Sequence, residues 1–95
     1  ILAGRPDLQK QLKENPSLIP LFIEEAARLE SPFRMHLRSV PRDTTLNGVL
    51  IPEGATVLLM WGAANRDPDK FANPTEIVLE RPREHVVFGR GIHQC

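Results

Sequence analysis

The residues best suited to chemistry lie at the end of the chain, where residues 88–95 read Phe-Gly-Arg-Gly-Ile-His-Gln-Cys. Cys95 is the only cysteine in the sequence, and a cysteine thiolate is a soft ligand that binds transition metals. Gly89 and Gly91 permit backbone conformations and close approaches that other residues resist. The pattern predicts a loop that presents one thiolate to a metal, with His93 as a polar contact beside it.

A rival metal site would use His85, His93 and Cys95 as zinc ligands. Zinc prefers four ligands, usually supplied as closely spaced pairs. The tail offers three candidate side chains, and no partner pair precedes them. A single cysteine can also be a small buried apolar side chain with no ligand. The residues alone leave these alternatives open.

Composition narrows the possible partners. Twelve Lys and Arg residues balance twelve Asp and Glu residues, so no overall charge favours nucleic acid. One cysteine excludes an internal disulfide framework. No run approaches eighteen consecutive apolar residues, and the sequence therefore predicts no membrane-spanning segment within these residues.

Helices are expected before the tail. Pro6 and Asp7 suit a first helical turn, which predicts a helix over residues 6–14. Asn15-Pro16 predicts a second helix with Asn15 as its cap, and Ser31-Pro32 ends that helix because a residue before proline avoids helical geometry. Its apolar face recurs at spacings of three and four residues and comprises Leu18, Phe22, Ala26 and Leu29.

The middle of the chain predicts a small antiparallel sheet of three or four strands. Apolar and polar residues alternate over residues 33–38, and Asn47-Gly48 is a strong hairpin signal. A second turn at residues 52–54 precedes an apolar strand over residues 56–60. A short helix at residues 62–64 then leads into residues 67–84, which carry three prolines and little periodicity. Those residues predict a long coil.

The tail, together with Glu25-x-x-Arg28 upstream, resembles the haem-ligand loop of the cytochrome P-450 family. Residues 25–32 resemble the K-helix motif of that family, and residues 63–68, Ala-Ala-Asn-Arg-Asp-Pro, match the stretch that follows its sheet. At roughly 5% usage per residue type, a chance match to the five fixed positions of the loop is on the order of one in a million per start site. Those positions are Phe88, Gly89, Gly91, His93 and Cys95.

The resemblance implies roles for individual residues. Cys95 would be the axial ligand of the haem iron, and Phe88, Gly89 and Gly91 would shape the loop around the cofactor. His93 and Arg38 would bind haem propionates, with His36 a further contact that is left unassigned. Glu25 and Arg28 would form a buried network that supports the loop. Its third member is predicted to be Arg81, with Arg83 and His85 as competitors.

The resemblance also implies the fold and the activity. Residues 1–95 would be the partial C-terminal part of a single cytochrome P-450 domain, truncated at both ends. Its fold class would be an α+β fragment of a mainly-α fold, with two to three helices, a small antiparallel sheet, a long coil and the haem-binding loop. The Asn-Arg-Asp-Pro stretch would connect loop backbone rather than perform chemistry.

The implied function is that of a soluble, cytoplasmic, bacterial haem-thiolate monooxygenase with heme b (iron protoporphyrin IX). It would insert one atom of O2 into a small organic substrate, using electrons from NAD(P)H delivered by a ferredoxin or flavoprotein reductase. No nucleic-acid partner is implied, and no membrane segment is expected in these residues. Two alternatives remain: a non-catalytic truncated fragment, and a small metal-binding module that uses histidine and cysteine.

Overall fold

A computed structural model describes all 95 residues and confirms the predicted fold class. Short helices come first, strands follow, and a long coil leads to the tail. Three 3-10 turns lie at Leu2–Gly4, Pro16–Leu18 and Gly91–His93. The helices and strands are α1 (Pro6–Glu14), α2 (Ile19–Leu29), β1 (His36–Ser39), β2 (Thr44–Leu46), β3 (Val49–Ile51), β4 (Thr56–Leu59) and α3 (Trp61–Ala64).

The largest apolar cluster lies between the first two helices and the coil. Leu8 and Leu12, four residues apart on α1, pack against Leu79 of the coil. Phe22 of α2 packs against this cluster. Burying each leucine side chain stabilises the fold by roughly 1.5–3 kcal/mol. The cluster therefore fixes the coil to the helices along the path that leads to the tail.

The predicted start of the second helix is wrong in two respects. Asn15 makes no side-chain capping bond, and its side-chain oxygen accepts from the hydroxyl of Ser17 instead. Residues 16–18 form a 3-10 turn, and the α-helix begins at Ile19. Pro20 explains the shift because it has no N–H to donate to the carbonyl of Pro16. The rest of the helix follows the prediction and ends at Leu29.

The sheet also differs from the prediction of three or four strands in one sheet. β1 pairs only with β4, and β2 pairs only with β3. Both pairs keep one register about the Asn47-Gly48 turn, so they are two halves of a single interrupted hairpin. Asn47 and Gly48 both have positive φ angles, of 49° and 78°, as a two-residue type I′ turn requires. Pro41 and Pro52 lie within the interruption, where neither can donate a ladder hydrogen bond.

The strand over residues 33–38 begins later than predicted, at His36. The carbonyl of Arg34 accepts from the N–H of Gly62 instead of joining the ladder. The coil over residues 67–84 contains no helix or strand, which confirms that prediction. No helix of the structure is long and apolar enough to cross a bilayer.

Candidate functional site

The tail is a tight loop closed by backbone hydrogen bonds. The N–H of Cys95 donates to the carbonyl of Phe88 at 2.9 Å, and the N–H of Gly89 donates to the carbonyl of Val86 at 3.0 Å. Gly89 and Gly91 have φ angles of 75° and 78°, in the left-handed region that favours glycine. The loop therefore needs both glycines to reverse direction twice within eight residues. Its final side chain, Cys95, is exposed.

One cavity of about 520 Å³ brings the tail and the sheet together. This volume lies within the range of roughly 300–1,000 Å³ that is typical of small-molecule and cofactor sites. Aromatic rings, aliphatic side chains, a thiol and basic groups all face it. Its lining comprises Pro32, Phe33, His36, Arg38, Leu59, Trp61, Val87, Phe88, Gly89, Arg90, His93 and Cys95.

Most of the predicted haem contacts meet at this cavity. Cys95, His93, Phe88 and Gly89 reach it from the tail, and Arg38 reaches it from β1. Gly91 does not line the cavity, and its part is to shape the turn beside it. One N–H of the Arg38 guanidinium donates a hydrogen bond to the carbonyl of Leu37 at 2.9 Å. Since a guanidinium has five donors, the other four remain available to a ligand.

A second group of residues forms a buried ionic network behind the tail. Glu25 is 4% exposed and Arg28 is 0% exposed. Nε and Nη2 of Arg28 donate to the two carboxylate oxygens of Glu25 at 2.8 and 3.0 Å. Nε of Arg81 lies 3.1 Å from Oε2 of Glu25. The structure thus places two guanidinium groups on one buried carboxylate.

Arg28 connects the helix to the coil. Its three remaining N–H groups donate to the backbone carbonyls of Asn65, Pro74 and Glu76 at 2.7–2.9 Å. All five guanidinium donors are therefore used, as a buried charge requires. The ring of Phe71 lies near both guanidinium groups, with its centroid 5.2 Å from Cζ of Arg28 and 5.8 Å from Cζ of Arg81.

Two opposing effects act on the pKa of Glu25. Burial alone would raise this pKa, because it disfavours the charged form. Hydrogen bonds from Arg28, from the backbone N–H of Val78 and from Arg81 outweigh that effect and hold the pKa below its ordinary value. The carboxylate therefore stays ionised inside the fold.

Asn65 links the network to the tail. Its side chain is fully buried. Its Oδ1 accepts from the N–H of Val86 at 2.8 Å, and its Nδ2 donates to Oγ of Ser31 at 3.0 Å. Its carbonyl accepts from Arg28. Asn65 thus connects the end of α2, the ionic network and the coil segment that leads into the tail. This agrees with the prediction that the Asn-Arg-Asp-Pro stretch connects loop backbone.

His85 and Arg83, the competitors of Arg81 for the third position of the network, contact the carboxylate of Glu24 instead of that of Glu25. Nε2 of His85 is 2.7 Å from Oε2 of Glu24, and Nη1 of Arg83 is 3.9 Å from Oε1 of the same residue.

The structure does not assemble the rival zinc site, since His85 faces Glu24. No group of three or more His, Cys, Asp or Glu side chains could hold a metal ion.

Sequence reasoning missed several residues at these sites. Trp61 lines the cavity, and the ring of Phe71 lies near both arginines. Trp61 carried a usable signal, because a half-buried indole N–H normally has a partner. Phe71 carried none, because it lies in a coil without periodicity. The pairing of Glu24 with His85 spans 61 residues and had no local signature.

A sequence profile of the cytochrome P-450 family matches residues 2–95. Since that match covers nearly the whole chain, the chain belongs to the cytochrome P-450 family, whose members are haem monooxygenases.

Individual relatives agree with this assignment. Cytochrome P-450 144 of Mycobacterium tuberculosis is 50% identical over 97 residues, which cover 100% of this chain and 22% of that protein. The solved structure of Mycobacterium marinum CYP150A6 in its substrate-free form superposes with a TM-score of 0.92 at 49% identity, covering 96% of this chain and 23% of that one. The structure of P450BioI in complex with an acyl carrier protein ligated to hexadec-9Z-enoic acid gives a TM-score of 0.91 at 43% identity. That match covers 97% of this chain and 24% of P450BioI.

The chain therefore spans less than a quarter of the length of these relatives.

Proposed function

We propose that these 95 residues are the C-terminal part of a longer haem-thiolate monooxygenase, here called the parent protein, and that Cys95 is the ligand of its haem iron. The observation that supports this most strongly is the shared cavity. It places the only cysteine of the chain beside two cationic or donor side chains, Arg38 and His93, in a member of the cytochrome P-450 family.

The cavity fits the chemistry of heme b. Porphyrin is a flat apolar ring, and Phe33, Trp61 and Phe88 offer aromatic surface to it. Its two propionates are anionic, and Arg38 has four unused donors that suit a carboxylate. The iron would be held by the thiolate of Cys95. The donor set therefore matches the three chemically distinct parts of the cofactor.

Each residue then has a definite task. Arg38 and His93 would bind the propionates of the cofactor. Phe88 would exclude water from the sulfur of Cys95, and Gly89 would leave the approach to it free of side-chain atoms. Glu25, Arg28 and Arg81 hold the coil and the tail in register with α2.

When bound, haem with a thiolate ligand supplies the iron chemistry by which one atom of O2 enters an organic substrate. Electrons are proposed to come from NAD(P)H through a ferredoxin or flavoprotein reductase. The substrate is a small organic molecule whose class these residues do not define.

Haem uptake by the full-length parent protein tests the proposal. The haem-free protein is titrated with haem, and one haem per chain is expected. Arg38→Gln removes a charge-assisted hydrogen bond worth about 1.5–3 kcal/mol, so it is expected to weaken haem retention by about 10- to 100-fold. Arg42→Gln, at an exposed position outside the cavity, is the matched control. Failure of the parent protein to bind haem would reject the proposal.

We further propose that the 95 residues alone are inactive. Only 11 of them are buried, and Cys95 and His93 are exposed. A cofactor held from one side keeps much of its apolar surface in water, which removes most of the driving force for binding.

A further inference from the structure

His36 lies in the same cavity as the proposed haem contacts and has no part in them so far. It begins β1 and is half-buried. Arg38 follows two residues later on the same strand, and side chains two apart project from one face. Both line the cavity with His93 and Cys95. An imidazole is thus available next to the arginine.

Trp61 determines which nitrogen of this imidazole carries the proton. Its Nε1 lies 2.6 Å from Nδ1 of His36. An indole nitrogen can only donate a hydrogen bond, so Nδ1 of His36 must be the unprotonated, accepting nitrogen. In the neutral ring the proton is then on Nε2. Trp61 therefore selects the tautomer that makes Nε2 a donor.

Aromatic contacts hold the imidazole in place. The ring of Phe33 stacks on it with centroids 5.4 Å apart and an interplanar angle of 28°. The ring of Trp61 meets it edge-on at 6.2 Å and 67°. Nε2 of His36 has no hydrogen-bond partner among the protein atoms, whereas Nδ1 is fully used. The result is an oriented N–H donor with its acceptor still to be supplied.

We propose that His36 is a further carboxylate-binding residue of this cavity, donating from Nε2 to an oxygen whose charge Arg38 balances. Trp61 is a positioning residue, because it acts through His36. This inference rests on the proposed function. The carboxylate has two possible sources with the same chemistry: a propionate of the bound haem, or the acid group of an organic substrate.

Comparing a ligand with its methyl ester isolates the contribution of the charged carboxylate to the binding affinity. The affinity of the full-length parent protein is measured for haem and for haem dimethyl ester, whose propionates are uncharged. A hydrogen bond to a charged group is worth about 1.5–3 kcal/mol, so His36→Phe is expected to weaken haem binding by about tenfold or more and to leave the affinity for the ester unchanged. His36→Gln, which keeps an N–H donor, is expected to restore most of the loss.

A misfolded variant would behave differently. It would lose affinity for both porphyrins, so the ratio of the two affinities is the informative quantity. Phenylalanine also keeps the stacking on Phe33, which limits any effect on folding.

The second source is tested with a substrate-like acid. The haem-loaded parent protein and its His36→Phe variant are titrated with palmitic acid and with methyl palmitate. If His36→Phe weakens the binding of palmitic acid but not that of methyl palmitate, the carboxylate that His36 binds belongs to the substrate. If His36→Phe changes neither the haem-to-ester ratio nor the acid-to-ester ratio, the inference is overturned. Normal haem uptake in the same samples would leave the proposed function standing.

The part played by Trp61 has its own measurement. In the parent protein loaded with diamagnetic zinc protoporphyrin, the nitrogen chemical shifts of isotope-labelled histidine report the tautomer of His36. We expect a protonated Nε2 and a bare Nδ1. Trp61→Phe keeps an aromatic edge without the N–H, and it is expected to mix the two tautomers and to reduce the haem-to-ester ratio. A single Nδ1–H tautomer in the natural protein would contradict the inference.

Discussion

Arg28 is the side chain on which the greatest number of separate segments depend. It is fully buried, and its guanidinium joins α2 to three carbonyl groups that lie 37 to 48 residues away. Lysine offers three donors and no fork geometry, so it cannot reproduce these contacts. The network is therefore sensitive to substitution at this residue even though Arg28 does not line the cavity.

Replacing Arg28 with glutamine is expected to destabilise the parent protein strongly. The change leaves the carboxylate of Glu25 buried with one of its two arginines missing, and breaking a buried ion pair costs about 3–5 kcal/mol. Urea unfolding of the haem-free parent protein measures the loss.

Arg34→Gln is the matched control for that substitution. Arg34 is exposed and pairs with Glu30 at 3.4 Å, an arrangement worth about 0–1 kcal/mol. Equal shifts in the urea midpoint for the two variants would show that the buried network does not stabilise the fold.

The pKa of Glu25 predicts a pH dependence. Its pKa is lower in the folded protein than its ordinary value, so the folded state favours the ionised carboxylate. That stabilisation is full above the unfolded pKa of about 4.3 and is lost as the pH falls through the lower, folded pKa. The difference in unfolding free energy between the natural protein and Glu25→Gln should therefore be constant above the unfolded pKa and shrink as the pH falls below it.

Glu53→Gln provides the comparison for the pH series. Glu53 lies at an exposed turn, and its side chain makes no ion pair. A constant difference across the whole acidic range for Glu25→Gln would contradict the prediction.

Some of these residue contacts followed from sequence and others did not. Glu25 and Arg28 are three apart on a helix, and that spacing alone predicts that they can meet. The carbonyl partners of Arg28 lie in a coil, whose path depends on tertiary contacts rather than on a local pattern. The tautomer of His36 likewise depends on Trp61, which is 25 residues away.

Among the elements, the tail loop has the strictest backbone requirement. Gly89→Ala is expected to raise the energy of the loop by about 1–2 kcal/mol, because an alanine in the left-handed region is strained. A Cβ atom there would meet nothing closer than the carbonyl oxygen of His93, at 4.0 Å, so the cost comes from the backbone and not from a clash. Haem retention by the parent protein should fall by about 5- to 30-fold.

Gly4→Ala is the control for the loop. A Cβ atom on Gly4 meets nothing within 4 Å, and Gly4 does not have a positive φ angle. Unchanged haem retention in Gly89→Ala would show that the tail does not need its observed conformation to hold the cofactor.

Elements with a repeating signal were predicted well. Helix α1 and most of α2 follow from apolar spacing, and the hairpin turn follows from Asn47-Gly48. Two of the errors lie where proline changes hydrogen bonding at an element boundary. Pro20 delays the start of α2, and Pro41 and Pro52 divide the hairpin into two ladders. The prediction of one sheet with three or four strands did not allow for these missing donors.

At the scale of the whole molecule, the chain is extended. Its radius of gyration is 16.9 Å, and its longest dimension is 54 Å. A compact domain of this length has a radius of gyration of about 12 Å. Several large apolar side chains are exposed, including Ile23, Phe33, Leu37 and Ile92. This shape supports the proposal that other parts of the parent protein complete the core.

The isolated 95 residues are therefore expected to bind haem weakly or not at all. Titration with haem, followed by absorption, should show no stoichiometric end point, and thermal unfolding followed by circular dichroism should lack a sharp transition. Tight binding of one haem per chain would prove this prediction wrong.

The family and the order of elements were predictable from the tail and the Glu-x-x-Arg motif. The degree to which large apolar side chains are exposed was not predictable from these motifs.

The central claim is that the sulfur of Cys95 binds the haem iron in the parent protein. The reduced, carbon monoxide-bound absorption spectrum tests it most directly, because the Soret band shifts to a characteristic position when the opposite ligand is a thiolate. We predict that shifted band for the natural parent protein and its disappearance in Cys95→Ser with haem still bound. A shifted band that persists in Cys95→Ser, or its absence from the haem-loaded natural protein, would contradict the account.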